Sequence, residues 1–138
     1  MDLKNLIKEV AIFVLIAGGI IYGLPVALSA VLNTTHPMAA ISSNSMWPVL
    51  EKGDLILIKG ANKDDIKIGD VVVYEVENGF IIHRVVKLMD KSFVTKGDAN
   101  TVNDQPIKYD KVVGKTINLG DSPIAVPYLG NITAFASR

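Results

Sequence analysis

From Val10 to Leu32 the chain carries an unbroken run of uncharged, mostly apolar residues directly after Lys8 and Glu9. At the helical rise such a run reaches roughly 34 Å, enough to cross a hydrocarbon core of about 30 Å with slight tilt. A soluble domain has little use for an apolar stretch of that length, so the run is expected to be a membrane-spanning helix. Gly18, Gly19, Gly23 and Pro25 would weaken a soluble helix, whereas a bilayer leaves the backbone no better partner than itself. A kink is expected near Pro25. Ala27 and Ser29 offer the small residues of a signal-peptide cleavage site, but the apolar core of a removed signal is about 7 to 15 residues, and this run is longer. The expectation is a retained anchor. Lys4 and Lys8 precede the run and the next basic residue is Lys52, which favours a cytoplasmic N-terminus. The chain then divides into a cytoplasmic tip and anchor, residues 1–35, and a remainder, residues 36–138, on the far side of the membrane.

After a polar exit loop at Asn33 to Pro37, the chain has strand character to about Leu119. Short runs rich in Val, Ile and Tyr recur at 54–59, 70–76, 79–88, 92–95 and 111–119. They are separated by the turn signals Gly53-Asp54, Gly69-Asp70, Asn78-Gly79 and Gly97-Asp98, of which Asn78-Gly79 predicts a type I′ hairpin turn. The fold class expected is mainly β: a small antiparallel, barrel-like domain of five to seven strands after a single N-terminal transmembrane helix. From Pro123 to Ala136 the sequence is apolar again but broken by Pro127, Gly130 and Asn131. It reads equally well as a final strand or loop packed on the sheet, a patch that dips into lipid, or the start of a second span. Asn33-Thr-Thr and Asn131-Ile-Thr match the glycosylation acceptor pattern, which is frequent by chance.

Composition removes several function classes. Fourteen Lys plus Arg balance fourteen Asp plus Glu, and the basic residues are scattered, so nothing holds a phosphate backbone and nucleic acid is not an expected partner. The chain has no Cys and two His. Thiolate metal and redox chemistry are therefore excluded, a zinc site would need carboxylate help, and no metal or cofactor is expected.

Three short segments remain that could carry chemistry. Ser42-Ser-Asn-Ser45-Met-Trp-Pro48 lies close after the membrane exit. Hydroxyl runs usually just make turns, yet a nucleophilic Ser also needs a tight turn, where its own N–H can face the oxyanion it creates. Ser45 suits this role, with the Ser43 hydroxyl as a second donor. His83, in Ile81-Ile-His-Arg-Val-Val86, is the one imidazole within the strand-rich region. A strand His is commonly a satisfied core or surface residue, but a Ser attacking an amide needs a base to take its proton. Strand alternation puts Lys87 on the His83 side as a substitute base. In Lys96-Gly-Asp98 through Asp104, two carboxylates lie in one polar stretch. Either could accept the second ring N–H of His83, and Asp98 could equally be turn punctuation.

Taken in order, four blocks resemble type I signal peptidases of the archaeal and endoplasmic reticulum branch. They are the N-terminal span, Ser43-Asn-Ser45-Met-Trp-Pro48 followed by Gly53-Asp54, His83-Arg84-Val85, and Lys96-Gly97-Asp98 with Asp104 beyond. The resemblance implies that Ser45 is the nucleophile, that Ser43 and Ser45 form the oxyanion hole, and that His83 is the base where bacterial members place a Lys. It implies Asp104 as the essential acid and Asp98 as a supporting one. The activity implied is removal of signal peptides from exported precursors with small residues at the first and third positions before the cut. Membrane lipid and the translocation machinery are the further partners of that setting. Bacterial members carry an additional β-domain absent here, and some archaeal relatives continue into a second span. The rival expectation is a non-enzymatic, membrane-tethered β-domain that binds peptides or partner proteins.

Overall fold

A computed structural model describes residues 2–131. The apolar run is helical from Leu3 to Leu32, and it is the one helix among the described residues long and apolar enough to cross a membrane. Its length is roughly 45 Å at the helical rise. Helix α1 (Leu3–Gly18) leads through a single π-helical turn at Gly19–Gly23 into α2 (Leu24–Leu32). The perturbation expected at Pro25 therefore takes the form of a wider turn just before it. Pro25 has no N–H to offer Ile21, and a local change of register absorbs the clash its ring would make with the preceding turn. Every large apolar side chain on this helix that faces outward is exposed, Phe13, Leu15 and Tyr22 among them. The helix ends at Asn33, whose left-handed backbone (φ 49°) turns the chain out.

Two bonds tie the helix end to the sheet. Gly60 N–H donates to the Leu32 carbonyl (2.8 Å), and the Thr34 hydroxyl donates to the Val113 carbonyl (3.3 Å). Gly60 approaches so closely that an added Cβ would lie 2.1 Å from the Asn33 oxygen.

The rest is antiparallel sheet. The strands are β1 (Met38–Ala40), β2 (Leu55–Lys59), β3 (Val71–Val76), β4 (Gly79–Leu88), β5 (Ser92–Lys96), β6 (Ile107–Lys108), β7 (Val112–Thr116), β8 (Asn118–Leu119), β9 (Ser122–Pro123) and β10 (Ala125–Val126). The main sheet runs β1-β2-β7-β3-β4-β5-β6, with β10 on β2, while β8 and β9 form a separate ribbon. Four of the five expected runs are single strands, and the fifth, 111–119, divides into β7 and β8. The additional ones, β1, β6, β9 and β10, are two or three residues long, too short for a periodic pattern to reveal. Among the described residues no ladder joins β1 to β6, so the curved sheet is not closed by pairing.

The β3–β4 hairpin forms, but its turn differs from the expectation. Val76 pairs with Gly79, leaving Glu77 and Asn78 as the loop, and neither has positive φ. Gly79 itself (φ 132°) opens β4. The strand faces set this register: sliding the turn by one residue would reverse which side chains of β3 reach each core.

Successive residues of β3 feed opposite faces. Val71 and Val73 join Ile41, Met46, Leu50, Ile56 and Ile58 in one buried cluster. Val72 and Tyr74 join Ile66, Val85 and Phe93 in another. Of the apolar segment at 123–136, Ala125–Val126 pairs with β2, Ala125 packs on the first cluster, and Tyr128 is exposed. Residues 132–136, and the acceptor pattern that begins at Asn131, extend outside the described residues.

Strand β7 sits between β2 and β3, and Gly114 is its closest approach. A Cβ there would lie 2.3 Å from the Lys59 carbonyl oxygen and 2.8 Å from Ile58 Cγ2. Gly114→Ala should therefore part the β2–β7 ladder and destabilise the fold by about 1–3 kcal/mol. Denaturant unfolding of the detergent-solubilised chain, compared with wild type, checks this.

Candidate active site

The Ser43–Leu50 segment is a compact turn held from both ends. Met46 and Leu50 are buried in the first cluster, and Trp47 N–H donates to the Asn44 carbonyl (3.1 Å) while Leu50 N–H donates to that of Met46 (3.0 Å). The Trp47–Pro48 peptide bond is cis. With Met46 anchored inward, Ser45 is turned toward the sheet face that carries His83.

His83 is centrally placed in β4 and lies opposite Val72. Its ring is largely buried, with 10% of the side chain exposed. Nε2 is 3.1 Å from Ser45 Oγ, and Nδ1 is 2.6 Å from Asp104 Oδ2. Donor directions follow from counting protons. An ionised Asp104 can only accept, so Nδ1 carries the hydrogen and a neutral ring has a bare Nε2. Ser45 then donates to Nε2, and the Ser43 hydroxyl, 3.1 Å away, donates to Ser45 Oγ. The Ser45 N–H faces Ser43 Oγ at 3.5 Å, so the two expected oxyanion donors share one side of the turn.

Asp104 comes from the loop after β5, pinned where its N–H donates to the Thr95 carbonyl (2.8 Å). The other carboxylate goes elsewhere. Asp98 takes a two-pronged pair of bonds from Arg84, Nε to Oδ1 at 2.8 Å and Nη2 to Oδ2 at 2.6 Å, and Arg84 Nη1 also donates to the Gly69 carbonyl. The pairing raises the Arg84 pKa above its ordinary value, chiefly through the Asp98 hydrogen bonds. Asp98 thus orders the 97–100 loop, whose Ala99 N–H donates to the Ser45 carbonyl (2.9 Å). Gly97 permits that approach, since a Cβ would lie 2.6 Å from the same oxygen.

Lys87 does not share the His83 environment. A bulge between Val85 and Lys87 interrupts the alternation of β4, and Lys87 is exposed. Two residues that sequence reasoning missed stand behind Asp104: Thr95 Oγ1 donates to its Oδ2 at 2.6 Å, and the Tyr74 hydroxyl reaches the same oxygen at 3.3 Å. Both are fully buried. The one available signal was the Tyr in the otherwise apolar Val71–Val73 run, because a buried phenol needs a partner.

Beside Ser45 and His83 opens a cleft of about 810 Å³, lined by β1 residues Met38 to Ala40, by Ser42 and Ser43, and by Phe80 to Ile82 of β4. Chemically, the arrangement supplies an alcohol, a base that can take its proton, and an acid that fixes the base's tautomer, all at the edge of a peptide-sized groove.

The Peptidase S24-like family matches residues 21–117, a range that takes in Ser45, His83, Asp98 and Asp104. The chain belongs to the Peptidase S24-like family. Relatives include the signal peptidase complex catalytic subunit SEC11 of Lachancea thermotolerans, 36% identical over 123 residues, covering 80% of this chain and 72% of that protein. SEC11 of Clavispora lusitaniae is 36% identical over 117 residues, covering 78% and 69%. The signal peptidase complex catalytic subunit SEC11C of Homo sapiens is 31% identical over 115 residues, covering 77% of this chain; the S24-like chain spans 60% of that relative's length. These names agree with the resemblance read from the four sequence blocks.

Within this S24-like site, burial pushes the Tyr74 hydroxyl up to about 12, with the nearby Asp104 charge adding to it and the Thr95 bond opposing. Tyr74 therefore stays a proton donor well above neutral pH. An unfolded chain releases this proton near 10 and the folded one near 12, so the stability it contributes is intact below pH 10 and is lost as pH rises through 12. Unfolding midpoints measured between pH 9 and 12 should fall across that window, and Tyr74→Phe should flatten the fall.

Proposed function

We propose that the chain is a membrane-anchored serine endopeptidase that removes N-terminal signal peptides from exported precursors on the extracytoplasmic face. Residues 1–35 are its cytoplasmic tip and anchor, and residues 36–138 its catalytic part. The single observation that carries the reading is the contact chain Ser45 Oγ, His83 Nε2, His83 Nδ1, Asp104 Oδ2, at 3.1 and 2.6 Å. The names of its relatives support the substrate class.

In this mechanism His83 Nε2 takes the Ser45 proton as Oγ attacks the scissile carbonyl carbon. The Ser45 N–H and the Ser43 hydroxyl, rotated toward the substrate, stabilise the resulting oxyanion. Asp104 holds Nδ1–H and balances the imidazolium charge without itself taking a proton. His83 then delivers the proton to the leaving amine, which departs as the new N-terminus of the mature protein. A water loses a proton to His83, attacks the acyl-enzyme, and releases the signal peptide's carboxyl end, restoring Ser45. Asp98 supports from the side by holding Arg84 and the loop that braces the Ser45 carbonyl.

An extended peptide can add to the outer edge of β1 along the cleft, presenting alternate side chains to its wall. Ala39, Ala40 and Ile82 are among the residues lining that cleft. The helix fixes enzyme and precursor to one membrane surface, where encounter is frequent at modest affinity. Its role as a subunit of a complex is suggested by the names of the relatives, and contact with the translocation machinery is part of the proposal.

Ser45→Ala should reduce processing of a membrane-inserted precursor by about a thousandfold or more while the fold persists, measured by gel shift of the precursor with detergent-solubilised or reconstituted chain. Undiminished processing would leave a tethered binding domain in place of an enzyme. Substitution of the two candidate bases separates their roles: His83→Ala should abolish cleavage and Lys87→Ala should leave it near the wild-type rate. The reverse pattern would make Lys87 the base.

A further inference from the structure

One carboxylate oxygen carries more contacts than the proposed relay needs. Asp104 Oδ2 accepts from His83 Nδ1 at 2.6 Å, from Thr95 Oγ1 at 2.6 Å and from the Tyr74 hydroxyl at 3.3 Å, while Tyr74 and Thr95 also lie 3.1 Å from each other. The two hydroxyls bring two protons to these contacts. The short Thr95–Asp104 bond uses the Thr95 proton, so Tyr74 is left to donate, shared between Thr95 Oγ1 and Asp104 Oδ2. The result is an ordered relay, Tyr74 to Thr95 to Asp104, meeting the imidazole N–H on a single oxygen.

These residues come from different places in the fold. Tyr74 rises from β3 on the same face as Val72, the cross-strand partner of His83. Thr95 stands on β5 opposite Val85 of β4. Asp104 follows on the loop whose N–H is tied to the Thr95 carbonyl. The Tyr74 ring is held edge-on to Phe93, with centroids 6.1 Å apart, so its hydroxyl has little freedom to point elsewhere. The charged neighbours Arg84 and Asp98 are paired with each other. Neither Tyr74 nor Thr95 lines the cleft.

We infer that Tyr74 and Thr95 are positioning residues for the hydrolytic reaction: their hydroxyls aim Asp104 Oδ2 at the His83 Nδ1–H and hold it there while the imidazolium forms. The inference rests on the proteolytic reading above. A carboxylate accepting several donors is held in one orientation. One whose only partner is the imidazole is free to swing, leaving the ring tautomer and direction loose. Tyr74 and Thr95 touch no substrate, so their loss should appear in the chemical step alone.

The test uses the full chain in detergent micelles, with a precursor as substrate and a proton spectrum of the His83 Nδ1–H, which a short bond to a carboxylate moves far downfield. Thr95→Val preserves shape and removes the donor. It should lower kcat roughly 10- to 100-fold with KM unchanged, and shift or broaden the downfield signal. Thr95→Ser, which returns the hydroxyl, should restore both. Tyr74→Phe keeps the ring packing and should lower kcat only several-fold, because Thr95 retains its direct bond. The double variant should fall short of the product of the two single effects, since both hydroxyls act through one oxygen.

A Thr95→Val enzyme whose activity tracks only its folded fraction, with the downfield proton unmoved, would overturn the inference. So would a Thr95→Ser variant that folds but stays as slow as Thr95→Val. If the wild-type chain leaves the precursor intact, the proteolytic reading itself fails. The proton signal then decides the hydrogen-bond network separately: a Thr95→Val spectrum identical to wild type overturns it, and a displaced, Ser-rescued signal upholds it.

Discussion

The pleat of β3 is the constraint on which the rest depends. Because neighbouring side chains of a strand point to opposite faces, Val71 and Val73 must pack with Met46 and Leu50, and Val72 and Tyr74 with Val85 and Phe93. Pairing with β4 then leaves no choice about His83: opposite Val72, it shares the second face. A shift of one residue would send the imidazole to the other core and strand the Tyr74 hydroxyl without a partner. Burial of apolar side chains thereby sets the direction of the one polar ring the proposed chemistry needs.

Around that face, loops arrive from both sides and are fixed by backbone contacts together with a few side chains, Met46 and the Arg84–Asp98 pair among them. Ser45 is presented by a turn whose Met46 is buried at 1% exposure. Its carbonyl is braced by the Ala99 N–H at 2.9 Å. Gly97 is required there because any side chain would strike the Ser45 backbone. Arg84, adjacent to His83 but on the opposite face of β4, holds Asp98 at the start of the same loop. One strand thus places the imidazole with one residue and secures the support of Ser45 with the next. Such division of labour explains two carboxylates in one polar stretch: Asp104 meets the ring, and Asp98 meets the guanidinium.

The membrane-compatible helix is joined to this apparatus by a short linkage. Its last residue, Leu32, accepts from Gly60 beside β2, and Thr34 reaches β7. The cleft lies along β1, immediately after the Asn33–Pro37 loop, and includes His36, whose ring is tilted against that of Phe80 at a centroid distance of 4.9 Å. In the proposed reaction a precursor held in the same bilayer would therefore approach from the side where the chain itself emerges.

The sequence by itself determined the elements with strong local signals. Length and apolarity specify the helix over Val10–Leu32, which begins earlier, at Leu3, and apolar, largely β-branched runs specify β2, β3, β4 and β5 to within a residue, while the 111–119 run divides into β7 and β8. Ser45 and His83 stood out as candidates because polar residues in apolar surroundings are conspicuous, whereas the choice of Asp104 over Asp98 came from the family resemblance and not from the local pattern. Tertiary structure decided what local signals do not encode. The Asn78-Gly79 turn moved by one residue because core packing outweighed turn preference. Lys87 left the His83 face because a bulge broke the alternation. Asp98 and Asp104 were assigned different partners because each carboxylate pairs with the donor the folded sheet brings to it. Thr95 and Tyr74 look like ordinary strand residues along the chain, and only the convergence of β3, β4 and β5 puts both hydroxyls on a single carboxylate oxygen. The physical reason is range: propensity and periodicity act over a few residues, whereas these hydrogen bonds join residues from nine to thirty positions apart and exist only after the sheet has closed that distance.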